Sequence, residues 1–421
     1  MNFQTISDII DTLLALDLDR GCLVFPQYTS SADELSLPEL PMKFFLAILC
    51  SLALILAGAK IASTNSPPSG QPKSLRIASW ALPLGSQARI YETFCGLKAM
   101  LTFLNTKGNI NGRRLEFYSQ EMDDSTPNFP ARLNTMIQQS QPLAVVGGAV
   151  DLRSGETADY FRRTGLVWFG PWSQSVSLYR GLDNDPVGLI PSQENQLTLL
   201  FGHAAKKLGA KAKIFVIYQQ TDGYSDFDQA AAKAAAEKFG LTLDLMAISS
   251  NFRDWNTVRE RTAGARVLLL WVPSGPAVAL LRAVKPSLPP ETIFMTHALN
   301  PPGLELWEMT GGLWDRMIFP SVLTIEPLRL QAYDAVLQRY GPQGLTPGYL
   351  SYLGVAQAQI LARTLINAEA GNKNQAVRTA FEAENGTGSL LTTTGFVTGP
   401  PPIEAAYLAM VSRSKGWEAV D

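Results

Sequence analysis

Few residues of this 421-residue chain have the types and spacing that catalysis or metal binding requires. The only histidines are His203 and His297, and of the three cysteines only Cys95 lies beyond the first 60 residues. No set of Cys and His residues therefore has the spacing of a zinc site. We expect neither a bound metal nor a cofactor.

Motifs for phosphate binding and for nucleophilic catalysis are also missing. The chain contains no G-x-x-x-x-G-K-[ST] loop, no G-x-G-x-x-G after a strand and no G-x-S-x-G elbow. A Ser-x-x-Lys match at 412–415 lacks its companion motifs. Asp123 and Asp124 could serve acid/base chemistry, but neighbouring side chains of an extended segment point to opposite faces. We interpret this pair as solvated acids in a loop, and we expect no enzyme.

Composition indicates more than one hydrophobic core and no polyanionic partner. Hydrophobic residues make up 46% of the chain and charged residues 17%, and single cores stop growing at about 250–300 residues. The formal net charge of −2 gives no reason to expect nucleic-acid binding. We expect a monomer with two globular units.

One apolar segment, FFLAILCSLALILAGA at 44–59, differs from the globular pattern. It is preceded by Lys43 and ends in small residues, and it is shorter than the roughly 20 residues of a spanning helix. These features predict a signal peptide at 42–59, preceded by a non-native or disordered extension at 1–41 and followed by a flexible leader at 60–74. A membrane-anchored protein with residues 1–41 as its tail is the alternative.

From residue 75 onward, short strand patterns alternate with longer helix patterns. Strands joined through helices lie parallel and are buried on both faces. The alternation predicts an α/β fold of two doubly wound parallel-sheet lobes. The predicted strands lie at 75–80, 114–119, 143–148, 166–170, 213–218, 241–248, 267–272 and 292–295, and the predicted helices at 90–104, 129–141, 154–164, 226–239, 255–263, 276–284, 328–340, 349–368 and 374–384.

Several segments together resemble the branched-chain amino-acid-binding family of periplasmic substrate-binding proteins. They are GLKAMLTFLNTKGNINGRRLEFYSQEMDD at 96–124, LAVVGG at 143–148, SGETA at 154–158, LVWFGPWSQS at 166–175, LIPSQENQ at 189–196 and KIFVIYQQTDGYSDF at 213–227. Looser similarity continues at 292–299 and 349–358, so the resemblance covers about residues 75–400. It implies a type I periplasmic binding fold with a three-crossing hinge, with 75–191 plus 322–394 in lobe 1 and 192–321 plus 395–421 in lobe 2.

The resemblance also implies a ligand site in the first lobe. Ser154 and Thr157 fall where the family holds the ligand's carboxylate at the start of a helix, although both residue types are also common helix caps. Trp172, Ser173 and Gln174 match the next loop, where backbone and a hydroxyl contact the same ligand group. For Trp172, packing in the loop is the alternative role.

In the second lobe the resemblance places Tyr224 as the aromatic residue that closes on the ligand. Trp271 would form another wall, with core burial as its alternative, and His297 and Tyr352 complete the implied set. Amino-acid-binding relatives often carry an acid in the segment at 296–298, where this chain has Thr-His-Ala. Since a buried ammonium without a countercharge is costly, either another acid serves or the ligand is not a standard amino acid.

These inferences predict an exported solute receptor. It would bind an amino acid, an amide, a urea-like compound or a carboxylate in the periplasm and pass it to the permease subunits of an ABC importer. A sensory module that signals to a membrane receptor or kinase is the alternative. An enzyme on the same fold has the least support, because no nucleophile and base can be paired.

Overall fold

The computed structural model of the chain describes residues 74–83, 90–107, 110, 112–150, 153–220, 227–249, 251–300, 310–324, 326–368, 374–384, 389–391, 406–412 and 416–420. The predicted signal peptide, its preceding extension and nearly all of the leader lie outside these ranges. Among the described helices, none combines the length and the apolar character needed to cross a membrane.

The first sheet is parallel and has four strands among the described residues. These are β1 (Ser74–Trp80), β2 (Arg114–Gln120), β3 (Ala144–Val146) and β4 (Val167–Phe169), in the order β2-β1-β3-β4. Alternate side chains of each strand face opposite layers. Leu75 and Ile77 pack into one core with helix α1 (Ile90–Thr106), and Ala78 and Trp80 pack into another with α2 (Phe129–Ser140) and α3 (Ser154–Thr164).

The second sheet has seven described strands and is mixed. Strands β5 (Lys213–Gln219), β6 (Thr242–Ile248), β7 (Val267–Trp271), β8 (Ile293–Thr296) and β9 (Met317–Ser321) are parallel. The strands β10 (Tyr407–Ser412) and β11 (Gly416–Ala419) are antiparallel and extend the edge beyond β9. The expectation of parallel sheets holds for β5 to β9, and this edge departs from it. Only three residues separate β10 from β11, too few for the crossover that parallel neighbours need.

Helices cover both faces of the second sheet. They are α4 (Gln193–Leu208) and α5 (Gln229–Lys238) on one face, and α6 (Trp255–Thr262) and α7 (Ser274–Val284) on the other. Every residue of β7, VLLLW, is buried. A continuous apolar run is what a central parallel strand needs when both of its faces are covered.

After β9 the chain returns to the first sheet through α8 (Pro327–Tyr340), α9 (Tyr349–Asn367) and α10 (Asn374–Ala383). It then joins the second sheet again as β10. Helix α9 crosses α1 very closely, since an added Cβ at Gly96 would lie 1.9 Å from Ser351 O and one at Gly354 would lie 1.9 Å from Thr93 O. Any larger side chain at either glycine would push the two helices apart.

The predicted helices and the eight predicted strands are present, with ends that differ by a few residues. Helix α4 and the strands β9, β10 and β11 were not predicted. The two-lobed α/β architecture is confirmed by two sheets that are each covered on both faces.

Candidate functional site

Each sheet has one point at which the order of its strands reverses along the chain. In the first sheet this point lies between β1 and β3, and in the second it lies between β5 and β7. In open parallel sheets ligands bind beyond the carboxyl ends of the strands at such a point. Among the described residues, the loops after β3 and β7 lie at these points. The loops after β4 and β8 are hydrogen-bonded to them, through Trp172 N–H to Gly148 O at 3.1 Å and Asn300 Nδ2 to Val272 O at 2.9 Å. These four loops form the candidate site, which we call the interlobe site.

A cluster of serine hydroxyls lies at the first-lobe side of the interlobe site. Ser154 Oγ donates to Ser175 Oγ at 2.9 Å and lies 2.6 Å from Ser177 Oγ, and the latter two oxygens are 2.8 Å apart. Ser173 Oγ accepts from the backbone N–H of Ser175 at 3.2 Å. Ser154 is the first residue of α3, so the hydroxyls lie at the positive end of a helix dipole. This arrangement can bind an anionic or carbonyl oxygen.

The acids that follow β2 lie beside the same helix end. Asp124 Oδ2 accepts from the backbone N–H of Arg153 at 2.7 Å, and Asp123 Oδ1 accepts from Ser125 Oγ at 2.6 Å. Both aspartates are only 2% exposed. Our interpretation of them as solvated acids is therefore wrong, because hydrogen bonds from the loop and from the start of α3 replace their water.

An ion pair holds the serine-bearing loop against α3. Arg162, on the last turns of α3, is paired with Asp185 and donates from Nη2 to the carbonyl of Leu178 at 2.6 Å. Burial by itself would raise the pKa of Asp185, but hydrogen bonds from Arg162 and from the amides of Arg180 and Leu182 outweigh it and lower the pKa. The pair fixes the loop that carries Ser175 and Ser177.

A chain of hydrogen bonds joins the two lobes at the interlobe site. Gln174, after β4, places Nε2 3.3 Å from His297 Nδ1, after β8. Gln196, on α4, donates from Nε2 to Gln174 Oε1 at 3.1 Å and to the carbonyl of Pro191 at 2.7 Å. Its Oε1 accepts from the backbone N–H of Ala298 at 2.8 Å. We call these contacts the interlobe clasp.

His297 is a neutral part of the second lobe's wall. Burial lowers the pKa of its imidazole to about 3, against an opposing hydrogen bond with the backbone of Val272. Its ring packs against the Trp271 indole at a centroid distance of 5.1 Å, and Trp271 in turn contacts Phe227 at 5.5 Å. The wall is therefore aromatic and uncharged at neutral pH.

Trp172 and Thr157 are buried, as are the other residues predicted for the first-lobe site, Ser154, Ser173 and Gln174. Trp172 is fully buried, its Nε1 donates to Gln357 Oε1 at 2.8 Å, and an added Cβ at Gly147 would lie 2.2 Å from its ring. The positive φ of 68° at Gly147 also favours glycine there. Thr157 is buried one turn into α3. Trp172 has the contacts of a packing residue, the alternative role that its sequence position allowed.

The remaining predicted residues fall elsewhere. Tyr352, on α9, is paired with Asp334 and packs against Trp417 at a centroid distance of 5.5 Å, so its described contacts are with α8 and β11. Tyr224 lies outside the described residues. Whether either residue contacts ligand remains a prediction.

Several residues of the interlobe site were not singled out from the sequence. Ser175, Gln196 and Phe227 lie inside segments that carried the resemblance, and Ser177 lies two positions after one, but none of them had a motif of its own. Gln196 is fully buried with partners 22 and 102 positions away along the chain. Burial of Gln196 depends on these distant partners, so no local pattern marked it.

Concave surfaces outside the interlobe site lie at other edges of the fold. One cavity of about 410 Å³ is lined by Lys211, Lys213, Arg261 and Arg266, at the amino ends of β5 and β7. Lys213 and Arg261 both pair with Asp244 there. Because ligands of such sheets bind at the carboxyl ends of the strands, this cavity is not the candidate site.

A family model described as periplasmic binding protein matches residues 93–416. A search of curated proteins found no match. The fold is similar to a substrate-binding periplasmic protein from Ralstonia solanacearum, with a TM-score of 0.69, 15% identity and coverage of 82% of this chain and 100% of that one. It is also similar to a branched chain amino acid ABC transporter protein from Thermus thermophilus with bound valine, with a TM-score of 0.68, 15% identity and coverage of 84% and 96%.

A third similar structure is a possible leucine/isoleucine/valine-binding protein from Rhodopirellula baltica SH 1. Its TM-score is 0.66, its identity 17% and the coverage 85% of this chain and 98% of that one. At these identities the likeness concerns the fold.

Proposed function

We propose, because this chain belongs to the periplasmic binding protein family, that it captures a small polar solute at the interlobe site and delivers it to an ABC importer. The family consists of solute-binding proteins, in agreement with the lack of a paired nucleophile and base in the sequence. The solute would be an amino acid, an amide, a urea-like compound or a carboxylate. Its partners would be the solute and the permease subunits of the importer, with the protein acting as a monomer.

The observation that carries this proposal is the interlobe clasp. Gln174 and His297 follow strands of different sheets, yet their side chains meet at 3.3 Å. The loops that follow β4 and β8, beside the two switch points, therefore come together where a solute would be enclosed. A site divided between two lobes is complete only when the lobes approach, so binding and closure are coupled.

The side chains that the two lobes present at the interlobe site differ, which supports a ligand with one polar end and one apolar end. Hydroxyls and the start of α3 suit a carboxylate or a carbonyl in the first lobe, while aromatic rings suit an apolar body in the second. Relatives of the same fold are described as binding valine and leucine, and one as a fatty acid transporter protein. This range of ligands fits a fold whose loops decide specificity.

Export follows from the proposed signal peptide at 42–59, which would release the protein into the periplasm. N-terminal sequencing of protein recovered from the periplasm would give a start near residue 60. Recovery of residues 1–41 on the mature protein would contradict export by cleavage.

The function is tested by purifying the protein without denaturant and identifying released solutes by mass spectrometry after denaturation. We expect one small polar solute at near-stoichiometric amount, recovered unchanged after long incubation with the protein. Small-angle scattering with and without that solute should show a smaller radius of gyration for the complex. Conversion of the solute, or a radius of gyration that does not change, would contradict the proposal.

A further inference from the structure

We propose that the solute presents a carbonyl-type hydrogen-bond acceptor to the second lobe, and that Trp271 Nε1–H donates to it. Under this proposal the ligand class is a small acid with a carbonyl beside its carboxylate, such as a 2-oxo acid, and not an α-amino acid. The inference rests on the proposed function, because it identifies what the interlobe site recognises.

The first observation is an unsatisfied donor. Trp271 is 1% exposed, and its Nε1 has no hydrogen-bond partner among the residues that the structure describes. The buried indoles of the first lobe differ, since Trp80 donates to Ala149 O at 3.0 Å, Trp168 to Gly147 O at 2.6 Å and Trp172 to Gln357. Buried polar groups are nearly always paired, so a donor left free at a ligand site indicates a partner on the ligand.

The second observation is the position of this indole. Trp271 is the last residue of β7 and pairs across the sheet with Tyr218 of β5, so it lies at the switch point of the second sheet. Its ring contacts His297, whose imidazole meets Gln174 of the opposite lobe. The indole therefore packs at once in the core under α4 and α5 and against the residue that meets the first lobe.

The third observation is that the other polar groups of this wall are already engaged. His297 Nδ1 lies against Gln174, and burial keeps the imidazole neutral. Thr296 Oγ1 donates to Leu270 O at 3.0 Å, and Asn300 Nδ2 donates to Val272 O at 2.9 Å. None of these contacts involves a carboxylate, so the described groups of this wall would give a ligand ammonium no countercharge in return for its lost water.

A carbonyl oxygen fits this wall where an ammonium does not. It accepts one hydrogen bond from the indole, it carries no charge to desolvate, and its planar group packs against aromatic rings. The carboxylate of the same ligand would bind the serine hydroxyls near Ser154 in the first lobe. A 2-oxo acid differs from its amino acid only in the group that meets Trp271, so the pair isolates the proposed contact.

The test measures binding by calorimetry for two matched pairs of probes. They are leucine with 4-methyl-2-oxopentanoate, and phenylalanine with phenylpyruvate. We expect at least one 2-oxo acid to bind, and to bind at least about tenfold more tightly than its amino acid, which corresponds to about 1.4 kcal/mol. In Trp271→Phe, which keeps an aromatic ring but removes the N–H, that 2-oxo acid should bind about tenfold more weakly.

Trp314→Phe is the matched control. The Trp314 indole is also fully buried, and its Nε1 has no partner within the described part of the chain, but it packs in the core with α7, just before the amino end of β9. We expect it to leave 2-oxo acid binding within about twofold of the wild type. Thermal unfolding without probe tests whether both variants are folded. The midpoint temperature should change by similar amounts in the two variants, because neither substitution removes a hydrogen bond among the described residues.

Three results would overturn the inference: failure of both 2-oxo acids to bind, amino acids that bind as tightly as the 2-oxo acids, or equal losses in Trp271→Phe and Trp314→Phe. If these results occur while a different solute copurifies and closes the lobes, the proposed function stands and only the ligand class is wrong. If no solute closes the lobes, the proposed function fails as well.

Discussion

Replacing Gln196 with leucine removes the side chain that joins three segments at the interlobe site. The glutamine is fully buried on α4. Its amide contacts Gln174 Oε1 at 3.1 Å, Pro191 O at 2.7 Å and the N–H of Ala298 at 2.8 Å. Leucine has a similar volume and helix propensity, so the variant tests the hydrogen bonds with little change in packing or backbone preference.

The size of the effect follows from these three contacts. Each lost bond between neutral groups costs about 1 to 1.5 kcal/mol, which gives about 3 to 4.5 kcal/mol for the three. Burial of the leucine methyl groups returns about 1 kcal/mol. We therefore expect Gln196→Leu to lower the free energy of unfolding by about 2 to 3.5 kcal/mol.

Urea unfolding followed by far-ultraviolet circular dichroism measures this loss. Gln338→Leu, the same change at an exposed position of α8, is the control and should alter stability by no more than about 0.5 kcal/mol. The reasoning would be refuted if Gln196→Leu lowered the free energy of unfolding by less than about 1 kcal/mol while the slope of that free energy against urea concentration stayed unchanged. In that case water or a rearranged loop satisfies the three partners.

Ser154→Ala removes one hydroxyl of the serine cluster and should weaken binding of the copurified solute by about 1 to 3 kcal/mol in calorimetry; unchanged affinity would place the ligand's acceptor elsewhere. Asp185→Asn should destabilise the protein at neutral pH. Because its folded pKa is below the ordinary 3.8, the difference from wild type should shrink as pH falls below that value, and a constant difference would contradict it. The pKa of His297 is about 3 in the folded protein and 6.5 for an ordinary histidine, so the unfolded chain is protonated first as the pH is lowered. The free energy of unfolding should therefore decrease as the pH is lowered from about 6.5 to 3. His297→Gln should flatten that slope in urea titrations at several pH values, and a slope as steep as in the wild type would contradict burial of the neutral imidazole.

Most of the architecture could be predicted from the sequence, because helices and strands leave local periodic patterns. Helix α3 was predicted at its observed bounds, and Gly165 ends it with a φ of 67°. Helix α4 was missed although its signal was present. Ser192 caps its first turn, and apolar residues follow at 197, 200, 201 and 204 with helical spacing.

The edge of the second sheet was decided by tertiary structure. Residues 407–410 pair with β9, about 90 positions earlier in the chain. Their pattern is compatible with a strand, but a local pattern does not indicate which strand will be its neighbour. That pairing depends on the chain returning from α10 to the second sheet.

At the interlobe site, too, the sequence left open what tertiary contacts settle, and two tryptophans show this. Trp172 and Trp271 are the same residue type, each at or just after the end of a strand, and each allowed a packing role or a ligand role. Tertiary contacts separate them, since Gln357, 185 positions away, accepts from Trp172 while Trp271 Nε1 stays unpaired among the described residues. Hydrogen-bond partners brought together by chain crossings leave no periodic pattern, so the sequence identified the segments of the site and only the folded chain decided which side chains meet.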